Sequence, residues 1–121
     1  VGIKSMKAGV TIAQVMAASR AEIERQATSL RTPEGKEAAN ILLAPDGMSG
    51  WSLHSVGVES GETPLPTLVD GAVIAFEPIF SVGADAYYLE DMIHITSTGS
   101  EILSVGLPYT AAEIEAAIRS R

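Results

Sequence analysis

The feature that most constrains this chain is a glutamate inside an otherwise apolar segment, residues 73–80. Glu77 stands in the run Val-Ile-Ala-Phe-Glu-Pro-Ile-Phe, whose β-branched and aromatic residues favour a buried strand. A carboxylate in such a strand costs on the order of several kcal/mol unless it is satisfied. The fold must therefore bring a cation, a hydrogen-bond network or another chain to Glu77, and a structural salt bridge competes with a metal ion for that role.

Two more ligand-type side chains interrupt β-rich segments on either side. His54 lies in residues 51–58 and Glu90 in residues 86–96. Taken alone, a histidine on an apolar strand is more often a satisfied core residue than a ligand. Antiparallel pairing of successive strands can nevertheless bring all three side chains to one point. The aromatic residues Trp51, Tyr87 and Tyr88 can line a pocket, and aromatic core packing is the default interpretation.

The remaining pattern predicts an α+β fold with an antiparallel sheet. Capping boxes at Thr11 and Thr110 predict helices over about residues 12–28 and up to about Ser120. Residues 29–50, rich in proline and glycine, predict a connector with one turn of helix or a short strand. Four strands are predicted at 51–58, 72–80, 86–96 and 101–105, separated by turn-type residues at 61–66, 81–85 and 97–100.

Composition excludes several classes of protein. The chain has no cysteine, which excludes disulfides and thiolate metal sites. Its net charge of −7 disfavours nucleic acid and anionic membrane surfaces as partners. The sequence contains no apolar run of transmembrane length and does not open with the layout of a signal peptide, so we expect a cytoplasmic protein.

Four segments, in order, resemble motifs of the creatinase-type or "pita-bread" metallohydrolases, which include aminopeptidase P, prolidase and methionine aminopeptidase. Residues 54–58 resemble their His-Gly-x-Gly strand, residues 68–78 their strand ending in Glu-Pro, and residues 89–103 their Glu-Asp strand with its following Gly-x-Glu-x-Leu. Residues 7–11 resemble their Lys-Pro-Gly-x-Thr segment, with Ala8 in place of proline. The resemblance implies the C-terminal part of a pita-bread fold, a curved antiparallel sheet with helices on its outer face.

The resemblance also implies roles for individual residues. In the family, one histidine and two glutamates from these motifs, with two aspartates, hold a pair of divalent metal ions. Carried over by motif, the metal ligands are His54, Glu77 and Glu90, and Glu77 is also the catalytic residue that handles protons. The metal can be Mn, Zn, Co or Fe, since all suit nitrogen and oxygen ligands. His94 is expected either to orient Glu90 or to be a solvated histidine, and Glu62 is a further candidate for substrate binding.

Two departures from the family pattern bear on activity. The peptidases carry a second histidine in a His-Glu pair where this chain has Gly61 and Glu62. The four aspartates of the chain do not stand where the family's aspartate ligands do. We therefore expect residues 1–121 to be a partial catalytic domain that lacks the N-terminal half bearing those aspartates. The expected partner is the N-terminal polypeptide of the same precursor or a second copy in a homo-oligomer.

The function implied is a metal-dependent hydrolase of the Xaa-Pro aminopeptidase or prolidase type. Its substrate would be a peptide or another small molecule with a C–N amide bond. Two alternatives stay open at this point. One is a non-peptidase member of the superfamily, such as a creatinase-like hydrolase or a lyase, and the other is a non-catalytic pita-bread binding module.

Overall fold

The structure is a computed structural model that describes residues 2–56 and 66–120. A short 3-10 turn at Ile3–Ser5 precedes three helices and six strands. The helices are α1 (Ile12–Ala27), α2 (Pro33–Leu43) and α3 (Ala111–Arg119). The strands are β1 (Ser52–Ser55), β2 (Val73–Glu77), β3 (Ile79–Val82), β4 (Asp85–Tyr88), β5 (Asp91–Ile95) and β6 (Ser100–Ile102).

The strands form two antiparallel sheets. Four of them make one sheet in the order β1-β2-β5-β6, and β3 and β4 pair separately as a hairpin. Helices and antiparallel sheets together confirm the predicted α+β class. Within the described ranges, no helix is long and apolar enough to cross a membrane.

One face of the four-stranded sheet builds the hydrophobic core. Alternate residues of β1, β2 and β5 point to this face and are buried, as strand geometry requires. They pack with Met6 before α1, Val15 on α1, and Leu68. The strand members of this cluster are Leu53, Ile74, Phe76, Ile93 and Ile95. The residues between them point to the opposite face of the sheet.

Both predicted capping boxes are present. The side chain of Thr11 accepts a hydrogen bond from the backbone N–H of Gln14, and Thr110 does the same with Glu113. In each box the side chain three residues on returns to the backbone N–H of the threonine. Since this chemistry is local, the sequence alone locates the starts of both helices.

The prediction of a connector over residues 29–50 is wrong, because that stretch contains the eleven-residue helix α2. The side chain of Thr32 caps this helix by accepting from the N–H of Gly35 at 3.0 Å. Pro33 occupies the first helical position, where a missing N–H is tolerated. Pro33 and Gly35, which suggested a loop, are thus residues of a helix start.

Two of the predicted strands are divided. Residues 72–80 break at Pro78, which has no N–H for a ladder hydrogen bond, and residues 86–96 break at Leu89 and Glu90. The predicted separator 81–85 is the tip of the β3–β4 hairpin, where Gly83 adopts φ +60°. The four predicted strands are therefore six among the described residues.

The outer strands agree with the prediction only in part. β1 begins within the predicted 51–58 segment, whose end lies outside the described residues, as does most of the predicted turn at 61–66. β6 is shorter than the predicted 101–105 and starts one residue earlier. Between β5 and β6 the predicted turn is present, and Thr96 closes it through hydrogen bonds with Gly99.

The segment before α1 is tied to the end of β5. The N–H of Ala8 donates to the Thr96 carbonyl at 3.0 Å, and that of Gly9 donates to the Leu68 carbonyl at 2.9 Å. Gly9 does so with φ +83°, a backbone conformation that favours glycine. Residues 7–11 and 68–96, which carry three of the four motifs, are thus in direct contact.

Candidate metal centre

The face of the sheet opposite the core carries the ligand-type side chains. His54 pairs with Ala75 across β1 and β2, and Ser52 pairs with Glu77. Glu77 therefore lies diagonally across from His54 on the same face, within reach of its ring. Both side chains are largely buried, with exposed fractions of 9% for His54 and 16% for Glu77.

His54 and Glu77 are in direct contact. The imidazole Nε2 lies 3.1 Å from Glu77 Oε1. The other ring nitrogen, Nδ1, lies 3.1 Å from the carbonyl oxygen of Ser55, to which it can only donate. A neutral imidazole that donates from Nδ1 presents a lone pair at Nε2, facing a carboxylate oxygen that also offers lone pairs. This arrangement needs a proton or a cation between the two atoms.

Glu90 lies opposite Glu77, although neither sheet includes it. Phe76 pairs with Asp91 in one sheet, and Ile79 pairs with Tyr88 in the hairpin. Counting one residue on from Phe76 and one back from Asp91 sets Glu77 against Glu90, and the hairpin continues in the same register. Directly opposed residues of an antiparallel pair are close neighbours, and like charges there repel. A shared counter-group would offset that repulsion, and Glu90 is also exposed to solvent.

Tyr88 lies beside these carboxylates. Its hydroxyl donates a hydrogen bond to Glu90 Oε2 at 3.3 Å, and the strand register places Tyr88 on the same face as Glu77, diagonally across from it. Loss of solvation at the hydroxyl raises the pKa of Tyr88 to about 12. The neighbouring carboxylates of Glu77 and then Glu90 contribute to this rise. The phenol therefore stays a neutral donor at physiological pH. The site thus contains two contacts, His54 with Glu77 and Tyr88 with Glu90, on the same face of neighbouring strands.

The His54–Glu77 pair fits a bound divalent ion. Ligand distances of about 2.0–2.2 Å and a tetrahedral angle place two donor atoms about 3.3–3.6 Å apart. The observed 3.1 Å between Nε2 and Oε1 is slightly shorter than that spacing. Within residues 2–56 and 66–120, however, no three His, Cys, Asp or Glu side chains are grouped so as to hold a metal ion. That His54, Glu77 and Glu90 share one metal site stays a prediction.

The other candidates lie elsewhere. His94 Nδ1 is 3.3 Å from Glu101 Oε2 on the neighbouring strand, and this pair is exposed. Asp91 points away from the site and accepts a hydrogen bond from the Ser104 hydroxyl at 2.5 Å. Glu62 lies outside the described residues.

The default interpretation of Tyr87 and Tyr88 as core packing is wrong, because these side chains are 46% and 51% exposed, and the contact of Tyr88 with Glu90 was not predicted. A signal was available, since residues two apart on a strand share a face and Tyr88 stands two before Glu90. Tyr87 points the other way and stacks on Phe80, with ring centroids 5.0 Å apart and planes at 11°.

Comparison with solved structures shows where this architecture recurs. Zn-substituted Escherichia coli aminopeptidase P in complex with product is similar to the chain, with 19% identity and a TM-score of 0.65 over 98% of the chain. E. coli aminopeptidase P with the inhibitor Pro-Leu gives 20% identity and a TM-score of 0.64 over 99%. Xaa-Pro dipeptidase from Bacillus anthracis gives 23% identity and a TM-score of 0.59 over 89%.

The chain spans less than a third of each of these proteins, 31%, 32% and 28% of their lengths in the same order. No protein-family model and no curated protein matches the sequence. At these identities the similarity establishes the fold. The described chain has the fold of the C-terminal part of aminopeptidase P.

Proposed function

We propose that the chain contributes His54, Glu77 and Glu90 to the dinuclear metal site of a hydrolase that cleaves the amide bond of Xaa-Pro peptides. One observation carries this proposal. His54 Nε2 and Glu77 Oε1 face each other at 3.1 Å on a largely buried surface, in an arrangement that a cation satisfies. Support for the substrate class comes from the similar solved structures, which are aminopeptidase P and an Xaa-Pro dipeptidase.

Each residue has its own role in this proposal. His54 binds the metal ion through Nε2, and the hydrogen bond from its Nδ1–H to the Ser55 carbonyl fixes the tautomer and the plane of the ring. Glu77 holds a cation or a proton at Oε1, beside the place where the amide is cleaved. Glu90 supplies the second carboxylate from across the hairpin. When bound, a divalent ion such as Mn, Zn, Co or Fe acts as a Lewis acid that polarises the amide carbonyl.

Further metal donors have to come from outside the described residues, since these contain no group of three ligands. We propose that another part of the same precursor, or a second copy of the chain, supplies them. In the described part of the chain, β1 pairs only with β2, so its outer edge can accept a strand. Large apolar side chains are also exposed after β6, among them Leu107, Tyr109 and Ile118 at 67–71%. A contact of about 1,000 Å² with a partner would bury such surface.

A second candidate function is a non-catalytic binding module with the same fold. The lack of a third grouped ligand in the described ranges and the apolar C-terminal surface favour it. The two candidates differ in whether the chain binds a divalent ion through the His54–Glu77 pair.

Titration calorimetry with Mn²⁺ and Zn²⁺, followed by hydrolysis of an Xaa-Pro dipeptide, tests the proposal. We expect His54→Ala to abolish metal binding by the 121-residue chain. Glu101→Gln is the matched control, because Glu101 belongs to an exposed His–Glu pair at 3.3 Å on the same face of the sheet. Metal binding without hydrolysis would leave the metal site intact but reject peptidase activity of the chain alone. Equal metal binding by the wild-type and His54→Ala chains would reject the site itself and favour the binding module.

A further inference from the structure

We infer that Tyr88 is a positioning residue whose hydroxyl holds the Glu77 and Glu90 carboxylates side by side. The inference deepens the proposed function, on which its consequence for metal binding rests. The contact itself is independent of that function. Tyr88 reaches Glu90 Oε2 at 3.3 Å and lies diagonally across from Glu77 in the strand register.

The β3–β4 hairpin fixes the tyrosine in this place. Tyr88 pairs with Ile79, and the next residue, Leu89, donates its N–H to the Pro78 carbonyl at 3.2 Å. This bond closes the hairpin beside the two carboxylates. On the other face, Tyr87 stacks on Phe80 and holds the two strands together. The backbone at Tyr88 is therefore held by its pairing with Ile79 and by the neighbouring Leu89–Pro78 hydrogen bond.

The chemistry of a phenol suits this position. Two opposed carboxylates repel, and a hydroxyl that donates its one proton to Glu90 beside Glu77 offsets part of that repulsion without neutralising either charge. A lysine or arginine in the same place would act as a counter-ion and compete with a metal cation. A neutral hydroxyl leaves the full negative charge available and fixes the separation of the two carboxylates before a cation binds. Such outer partners typically contribute about 10–100-fold to metal affinity.

Calorimetric titration of Mn²⁺ into the full chain tests this role with Tyr88→Phe and the matched control Tyr87→Phe. Both changes remove one hydroxyl from half-exposed neighbouring rings, and far-ultraviolet circular dichroism checks that both variants fold. We expect Tyr88→Phe to weaken Mn²⁺ binding about 10–100-fold and Tyr87→Phe to leave it unchanged. In a Glu90→Gln background the additional loss from Tyr88→Phe should shrink, because the hydroxyl acts through that carboxylate.

Carbon-13 NMR of the glutamate side-chain carboxyls, in chelator at fixed neutral pH, tests the contact without any metal. Tyr88→Phe should shift the Glu77 and Glu90 resonances, whereas Tyr87→Phe should not. If the wild-type chain binds no Mn²⁺ but these shifts occur, the proposed function fails while the positioning role stands. If wild-type and Tyr88→Phe chains bind Mn²⁺ equally, or if neither carboxyl resonance moves, the inference about Tyr88 is overturned.

Discussion

Replacing Glu77 by glutamine should change stability in opposite directions with and without metal. In the metal-free chain, Oε1 of Glu77 faces a lone pair of His54 Nε2 at 3.1 Å unless a proton lies between them. A glutamine amide can donate N–H to that lone pair and satisfy the pair without an added proton. One neutral hydrogen bond contributes about 0.5–1.5 kcal/mol. Glu77→Gln should therefore be about 1 kcal/mol more stable than wild type in chelator.

A saturating divalent ion should reverse this order. A ligand at 100 times its Kd stabilises the folded state by about 2.7 kcal/mol. Only the wild-type chain retains the carboxylate, so it should then exceed Glu77→Gln by about 1.5–2 kcal/mol. Urea unfolding reports both values, because Trp51 is the sole tryptophan and packs edge-on against Phe76, with ring centroids 5.8 Å apart. With a slope of about 1–3 kcal/mol per molar, each change moves the midpoint by several tenths of a molar or more.

Two results would refute this reasoning. The first is a Glu77→Gln chain that is less stable than wild type by about 1 kcal/mol or more in chelator. His54 and Glu77 would then form an ion pair, with a protonated imidazole, that is stable without a metal. If Mn²⁺ stabilised wild type and Glu77→Gln equally, Glu77 would not be a ligand. Glu101→Gln controls for loss of a carboxylate next to a histidine, and its exposed pair should change stability by less than about 1 kcal/mol under either condition.

Two further predictions concern the framework. Ile93→Ala should destabilise the chain by about 2–5 kcal/mol in urea unfolding, because Ile93 is fully buried opposite Ile74; a loss under 1 kcal/mol would contradict the assigned core. Hydrogen bonds from the backbone N–H of Thr110, and then from its side chain, lower the pKa of Glu113. The stabilisation of α3 by this cap is therefore present above the ordinary glutamate pKa and lost as pH falls through the lowered value. Thr110→Ala should speed amide exchange in α3 about fivefold at neutral pH and less in acid, and an equal effect at both would contradict the capping role.

The sequence could predict those parts of the structure whose cause is local. Both capping boxes are set by residues three apart, and both were correct. The placement of His54 and Glu77 at strand positions also followed from the pattern of polar residues in apolar runs, whereas Glu90 lies in the break between β4 and β5. The helix α2 was missed because a proline and a glycine mark a helix start as well as a loop. Tyr88 was missed because its role depends on the pairing of β3 with β4 and of β2 with β5, which is non-local information.

The register of the site is a consequence of the core on the other side of the same strands. Leu53 and Phe76 pair with each other and point into the core, while their neighbours His54 and Glu77 point to the opposite face. A slip of one residue would exchange these sets, exposing two large apolar side chains and burying a carboxylate against α1. Burial of such side chains contributes about 1.5–3 kcal/mol each, so the core selects one register. The 3.1 Å contact between His54 and Glu77 is therefore held by the core beneath it, and core substitutions should affect this pair even where they touch neither residue.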